Sequence, residues 1–573
     1  MSLVLGQPSL ANQMGHNAAA IPGWYRWVAY GSLTVAAGTL ATIAVAHLAY
    51  PGFAEAMEGD LLQHIERAAR GQPVYPRPQA EYIPLTYMPL YYYLAAPFYL
   101  LFGDSFFGPR LLSVLATLGS AFWIGRITLR ETGSGPAAAL GAAFFCGSFR
   151  VMDAALFTVH PDALLLFWVL TGYWFWAYGT SRRDDVIWLL CFTCAFWTKQ
   201  SGALFFGWAV LYAMFFRHNA LPRWAILLGI GLGGPVAYTL IGSFCSERLW
   251  FHTFIAPNCW EQSWWLALRR TIYVLCILAP ITSVVFVDFW RKTRQAGSWK
   301  PTPLVWFIVA SLLTCLYTMR ISGTSNNHYA ALHALLAVTL AVMCHRLFMR
   351  RDTARLLILM TLMAVASCLM IVIAKRHFPQ HDVPAFVPVV VALASVALLL
   401  VRRAPAEARP RWQATILISA QFAVMAFDPL SYLPSPGWPE AVKRFGSELA
   451  QLDGPVIWVD YGNIPADLTG TKIARAPSWV ALEDVDRQQV QQSEIEANLQ
   501  PWREHVQGRP NLYLLSAANT LKHVPVWSRF ADNFELVRDY GDTFAAVRQV
   551  AEHWYVSGGP PRFLFRKKQP GTR

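Results

Sequence analysis

The sequence predicts a polytopic α-helical membrane protein, with about 13 transmembrane helices followed by a C-terminal external α/β domain. Three observations carry this. Of 573 residues, 55% are hydrophobic and 14% charged, with mean hydropathy +0.34, whereas a soluble domain carries about 25% charged residues. Long apolar runs recur through residues 27–427, and a bilayer needs about 20 mostly apolar residues per span. The loops between these runs alternate between strongly basic ones and longer, aromatic ones of mixed charge, the pattern that orients a chain in a membrane.

The spans fall, in order, at 27–50, 109–129, 135–149, 162–179, 186–198, 202–216, 223–243, 271–290, 303–318, 331–346, 355–374, 384–401 and 412–427. Every second loop carries a basic pair or cluster, such as Arg126 and Arg130, Arg182 and Arg183, Arg346 and Arg350, or Arg402 and Arg403. The positive-inside rule places these loops and the N-terminus in the cytoplasm. Segment 51–108, the turns near 150–161, 244–270, 319–330 and 375–383, and everything after about 428 are then outside. Residues before the first apolar run read as a polar lead-in rather than a cleavable signal peptide. The net charge of +13 is spread over short loops, which speaks against a nucleic-acid partner.

Segment 51–108 is too long for a simple connection. DLLQHIERAARG puts Leu61, Leu62, Ile65, Ala68 and Ala69 on one side and Gln63, Glu66, Arg67 and Arg70 on another, the signature of an amphipathic interfacial helix. YIPLTYMPLYYYLAAPFYLLFG follows, rich in tyrosine and interrupted by Pro84, Pro89 and Pro97. Tyrosine favours the headgroup level, so this is a second interfacial helix. A crossing here would also invert the side of every later loop.

The division is therefore 1–427 for the membrane part and 428–573 for the external domain. In the latter, GPVIWVDYG, NLYLLSA, FELVRDYG and TFAAVRQV read as strands and ALEDVDRQQVQQSEIEANLQ as a helix. Most cysteines lie inside spans and read as small buried hydrophobes. Cys245 and Cys259 share one external loop, where a disulfide is an option.

EGDLLQHIERAARGQPVY, YMPLYYYLAAPFYLLFG and PRLLSVL occur in that order, followed by HPDALLLFW, TKQSG and NNHYAALHALLAV. Together they resemble the GT-C glycosyltransferases, in the branch of the protein O-mannosyltransferases and the lipid A aminoarabinose transferase. The resemblance covers the membrane part. It implies inverting transfer of a sugar from a polyprenyl-phosphate carrier to a hydroxyl of a lipid, polysaccharide or protein acceptor, at the outer face of a plasma (bacterial inner) membrane.

The residues fit such chemistry. An acceptor hydroxyl loses its proton as it attacks, and a carboxylate can take it. The lipid phosphate leaves with help from cations. By alignment with the family, Glu58 is the general base, with a helix-start carboxylate as the alternative; relatives often carry Asp or an Asp-Glu pair where this chain has Glu-Gly-Asp. Asp60 is either functional or a helix-start carboxylate, suited to capping. Asp162, after His160 and Pro161, positions the acceptor or shares a divalent cation (Mg or Mn) with Glu58; as an alternative it caps a helix. His160 reads as an interfacial histidine. Lys199, between two apolar runs, contacts the carrier phosphate or snorkels; Arg110 has the same two readings. Arg320, Asn326, Asn327, His328 and Tyr329 bind phosphate or sugar hydroxyls, or form a plain loop. Arg248, His252, Trp260, Glu261, Trp264 and Trp265 crowd one external loop, as an interfacial belt or as an acceptor surface and lid. The rival class is a transporter or flippase, which predicts internal repeats and broken helices.

Overall fold

The computed structural model describes residues 23–216 (less 53, 55–56, 77–81, 83 and 153–154), 249–277 (less 259–261), 301–349 (less 322–323 and 325) and 437–459, with parts of 405–434 and 474–568. The expected spans at 223–243, 355–374 and 384–401 lie outside the described residues, as do most of 271–290 and the helix expected in 481–500.

Helix α1 (Gly23–Ala49) precedes α2 (Glu58–Ala69), α3 (Leu90–Phe102), α4 (Phe107–Thr132), α5 (Gly135–Gly147), α6 (Asp162–Tyr178), α7 (Arg182–Thr198) and α8 (Gly202–Phe216). Then come α9 (Trp264–Ile277), α10 (Pro303–Thr318) and α11 (Ala330–Met349). Among the described residues, Gly23–Ala49, Phe107–Thr132 and Asn327–Arg346 are long and apolar enough to cross a membrane. Local chemistry sets the boundaries. Helix α4 stops at Gly133, whose φ of +67° suits a residue without a β-carbon. Ser134 then caps α5 by accepting the Ala137 N–H, with Pro136 in the first turn. Ser181 and Asp184 form a capping box for α7. Thr302 accepts the Val305 N–H to start α10.

Helix α3 has 13 residues, about 20 Å, too short to cross a core of about 30 Å. Pro89 takes its cap position and Pro97 lies inside it. Helix α2 lies over α3 through His64, whose ring packs 4.9 Å from Tyr82 and 5.0 Å from Tyr92. The loop expected over 244–270 is largely helical where it is described: a π-helical turn spans Phe251–Ile255, and α9 begins at Trp264, seven residues before the expected span start at 271. One buried apolar cluster joins α1, α2 and α3 to α4–α8, α10 and α11. Cys146, Cys191, Cys315 and Cys344 are free thiols buried within the helical part; Cys245 and Cys259 lie outside the described residues.

Beyond helix α12 (Trp438–Leu449), five strands form one sheet in the order β2-β1-β3-β5-β4. These are β1 (Val456–Trp458), β2 (Ala474–Arg475), β3 (Tyr513–Ser516), β4 (Phe534–Asp539) and β5 (Phe563–Lys567). β1 runs parallel to β2 and β3, while β5 pairs antiparallel with β3 and β4. β1 and β3 are apolar and buried along their length, as strands covered on both faces are. The strand expected over 543–550 is not seen where it is described: Gly541–Phe544 is a helical turn, and 545–550 lie outside the described residues. Tyr50 joins the apolar cluster formed by α12 and the sheet, and His47 Nε2 meets the Tyr432 carbonyl at 2.9 Å. The end of α1 thus touches the tail.

Candidate active site

The starts of α2 and α4 place Glu58 and Arg110 face to face, both fully buried. Arg110 Nε donates to Glu58 Oε1 at 2.8 Å and Nη2 to Oε2 at 2.6 Å. Its remaining donors reach the carbonyls of His47 (2.7 Å), Tyr50 (2.6 Å) and Gly52 (2.6 Å). A guanidinium has five N–H groups in a fixed fork, and all five positions are engaged. Glu58 is equally saturated: Oε1 also accepts the Val159 N–H at 2.8 Å and Oε2 the Ala54 N–H at 2.5 Å. Burial alone would push this carboxyl up, but the Arg110 charge and these hydrogen bonds outweigh it and hold Glu58 below the usual carboxylate range.

This geometry bears on three expectations. Each Glu58 carboxylate oxygen is engaged by two donors in this structure, the arrangement of a brace between Arg110 and the Val159 and Ala54 N–H groups. Arg110 has no donor left for a lipid phosphate and does not snorkel. N–H donors and cationic side chains surround both Glu58 and Asp162, the two carboxylates expected to share a divalent cation. Among the described residues no group of three or more His, Cys, Asp or Glu could hold a metal ion.

Asp60 is fully buried in the first turn of α2, but Met57 holds the cap position there without a side-chain cap bond. Next to it, His64 Nδ1 meets the Asp60 carbonyl at 2.7 Å and Nε2 accepts the Leu85 N–H at 2.8 Å. Burial, with the nearby Arg67 charge, lowers the His64 pKa to about 3. Its unfolded value is about 6.5, so below pH 6.5 the unfolded chain binds a proton that the folded chain refuses. Stability therefore falls as pH drops from 6.5 towards 3. Between pH 6.5 and 5 the slope gives about 2 kcal/mol. We expect denaturation profiles of His64→Gln to lack this component; equal pH slopes in both proteins would exclude it.

The second cluster lies one residue beyond Val159. Asp162 is the first residue of α6, and the cap position falls on Pro161 rather than on it. Lys199 Nζ donates to Asp162 Oδ1 at 2.9 Å and Oδ2 at 3.1 Å, both residues being at most 5% exposed. Asn327 Nδ2 donates to Oδ2 at 3.1 Å, and His160 Nδ1 stands 2.5 Å from the same oxygen. His328 Nε2 lies 3.4 Å from Lys199 Nζ. The turn that presents Lys199 requires Gly202, where a β-carbon would strike the Ala195 carbonyl. His160 is thus a buried partner of the cluster.

Other predicted residues go elsewhere. Tyr329 is buried, with its hydroxyl 2.8 Å from Thr271 Oγ1, tying α9 to the start of α11. Arg320 lies over the Tyr317 ring at 4.3 Å and the Trp264 ring at 5.7 Å and bonds to Gln262, in a surface group separate from the Asp162 cluster. Trp264 and Trp265 stand exposed on the first turn of α9. His252 is buried in the π-helical turn. Arg248, Trp260 and Glu261 lie outside the described residues, and of Asn326 only the backbone is described, in a 3₁₀ turn.

Two residues escaped the sequence reading. Tyr87 reaches His160 Nε2 at 3.1 Å, and its ring lies 5.5 Å from Lys199 Nζ. Gln200 donates to the carbonyls of Thr86 (2.5 Å) and Thr253 (2.6 Å), linking the segments around those residues beside Lys199. Tyr87 was hidden among five tyrosines in YIPLTYMPLYYYL, and nothing in the pattern singles it out. Gln200 is the neighbour of a charged residue inside an apolar stretch, a signal that could have found it.

Residues 84–237 match the family model described as dolichyl-phosphate-mannose-protein mannosyltransferase. Undecaprenyl phosphate-alpha-4-amino-4-deoxy-L-arabinose arabinosyl transferase 2 of Pseudomonas fluorescens is 26% identical over 240 residues. That match covers 38% of this chain and spans 40% of the relative's length. Apo ArnT from Cupriavidus metallidurans has the same fold, with TM-score 0.57 and 14% identity over 94% of this chain and 98% of that one. The same protein bound to undecaprenyl phosphate gives 0.54 and 14%, over 92% and 96%. The chain resembles the GT-C glycosyltransferases of the aminoarabinose transferase branch, and its fold is that of a polytopic membrane protein.

Proposed function

We propose that this protein is an inverting membrane glycosyltransferase that moves a sugar from a polyprenyl-phosphate carrier to an acceptor hydroxyl at the outer face. The observation that carries this is the buried Asp162–Lys199 pair, flanked by His160, Asn327 and His328. Asp162, Lys199 and His160 lie within the segment that matches the mannosyltransferase model. An ionised pair buried at helix ends is costly, and such charges in membrane proteins generally mark a substrate path.

Lys199 is the switch in this reading. In the free protein its ammonium neutralises Asp162. When the carrier phosphate enters, it competes for Lys199, and Asp162 gains basicity as its counter-ion turns away. The acceptor O–H proton passes to the Asp162 carboxylate while the acceptor oxygen bonds to the anomeric carbon. The bond from that carbon to the phosphate oxygen breaks, and its electron pair leaves with the polyprenyl phosphate, stabilised by Lys199 with Asn327 and His328 at its side. One displacement inverts the anomeric centre. Glu58 and Arg110 hold the 159–162 segment in place through the Val159 N–H.

About 13 spans, a cytoplasmic N-terminus and an external C-terminal α/β domain over 428–573 complete the proposal, resting on the alternation of basic loops. A transporter is not favoured, because the family model and the curated relative are both transferases. The test is transfer of label from radiolabelled polyprenyl-phosphate sugars into membrane extracts containing the protein. A labelled product that requires Lys199 supports the proposal and names the acceptor class. No consumption of any carrier sugar across a broad panel would sink it.

A further inference from the structure

The far ends of α4 and α6, away from Asp162, enclose a cavity of about 510 Å³. Its wall includes Arg126, Arg130, Trp174, Tyr178 and Asp184. Arg126 lies 16 residues beyond Arg110 on α4, and Tyr178 lies 16 beyond Asp162 on α6. At 1.5 Å per residue the cavity is about 24 Å from the candidate active site along both helices. That is close to the thickness of a hydrocarbon core, the separation expected between the two headgroup levels of a spanning bundle.

The carboxylates near these arginines are occupied by other partners. Glu131 accepts the Tyr178 hydroxyl at 2.6 Å. Asp184, which lines the cavity, accepts from the Ser181 N–H, the Ser181 hydroxyl and the Thr180 N–H as the α7 capping box. Arg126 instead lies over the Trp174 ring at 5.4 Å. Two guanidiniums therefore line a cavity whose one carboxylate, Asp184, is held at the start of its own helix through Oδ2.

An independent feature leads to them. Leu115, Leu118 and Phe122 are 49%, 62% and 58% exposed on α4. Continuing their spacing of three and four residues reaches Arg126 and then Arg130, so all five lie on one helix face. An apolar stripe along the membrane ends at two arginines. The ligand matching this is amphiphilic, with an acyl chain along the stripe and an anionic head in the cavity.

We propose that this cavity binds the phosphodiester headgroup of an anionic membrane phospholipid, with one acyl chain along Leu115, Leu118 and Phe122. Arginine forks suit phosphate oxygens, and basic pockets between membrane helices favour anionic headgroups. The site is separate from the proposed transfer chemistry.

The experiment is native mass spectrometry of the detergent-purified full chain with phosphatidylglycerol added, against phosphatidylcholine and against inorganic phosphate. We expect retained phosphatidylglycerol to exceed phosphatidylcholine and to fall at least tenfold in Arg126→Gln/Arg130→Gln. Arg182→Gln/Arg183→Gln, outside the cavity wall, should retain it, and Phe122→Ser should weaken it. Equal retention of the two lipids, or no loss in the Arg126/Arg130 variant, would overturn the proposal. Displacement of the lipid by millimolar inorganic phosphate would assign the cavity to a soluble anion instead. Both double variants must remain folded by circular dichroism; if the Arg126/Arg130 variant does not, Arg130→Lys, which keeps the charge and loses the fork, is expected to reduce retention by a smaller factor.

Discussion

Asp162→Asn is expected to lower sugar transfer by about 10²- to 10⁴-fold, the range attached to loss of a positioned acid or base. Asparagine keeps the shape and one acceptor for Lys199 but removes the charge and the basic lone pair. The same change strands the Lys199 ammonium in a buried site, which costs about 3–5 kcal/mol when one partner of such a pair is lost. Activity and stability would then fall together, so a second variant is needed to separate them. Asp162→Asn/Lys199→Met removes both charges and should recover much of the melting temperature while transfer stays absent. Lys199→Met alone should weaken donor binding as well as turnover, because the ammonium meets the leaving phosphate. If Asp162→Asn transfers sugar at the rate of the parent, the base lies elsewhere, and the Asp162–Lys199 pair is structural.

Arg110→Met is expected to destabilise the protein by about 3–5 kcal/mol. It leaves the Glu58 carboxylate buried without its counter-ion and deprives the carbonyls of His47, Tyr50 and Gly52 of their donors. Arg110→Lys should rescue little, since three donors from one point cannot reach both carboxylate oxygens and three carbonyls. Glu58→Gln should behave as a stability variant too, with a lowered melting temperature in proportion to its lost transfer. Thermal unfolding in detergent and transfer rate, measured on the same preparations, decide between brace and base. A Glu58→Gln protein that melts like the parent yet transfers nothing would restore Glu58 as the general base.

The two cases show why the site was only partly legible. The types of residue were visible: charge inside apolar surroundings at Asp162 and Lys199, and an acidic start to the segment after the first apolar run. Their partners were not. Lys199 is 37 residues from Asp162, Asn327 is 165 from it, and Arg110 is 52 from Glu58. No local periodicity encodes which of several lone charges will meet when distant helix ends converge. Arg110 and Lys199 look alike in the sequence, each a cation beside an apolar run. One is saturated by five hydrogen bonds and the other holds a carboxylate that a phosphate could displace.

The sequence by itself determined the polytopic helical class and the helix boundaries over most described spans. Apolar run length, Ser134 and Ser181 caps, and the Gly133 stop act within a few residues of where they stand. Only the tertiary structure decided that Glu58 is locked to Arg110, that Tyr87 and Gln200 join the site, and that Arg126 and Arg130 continue an exposed apolar stripe into a cavity. Those facts depend on which helices pack together, and packing is set by shape and burial summed over the whole bundle rather than by any one stretch of chain.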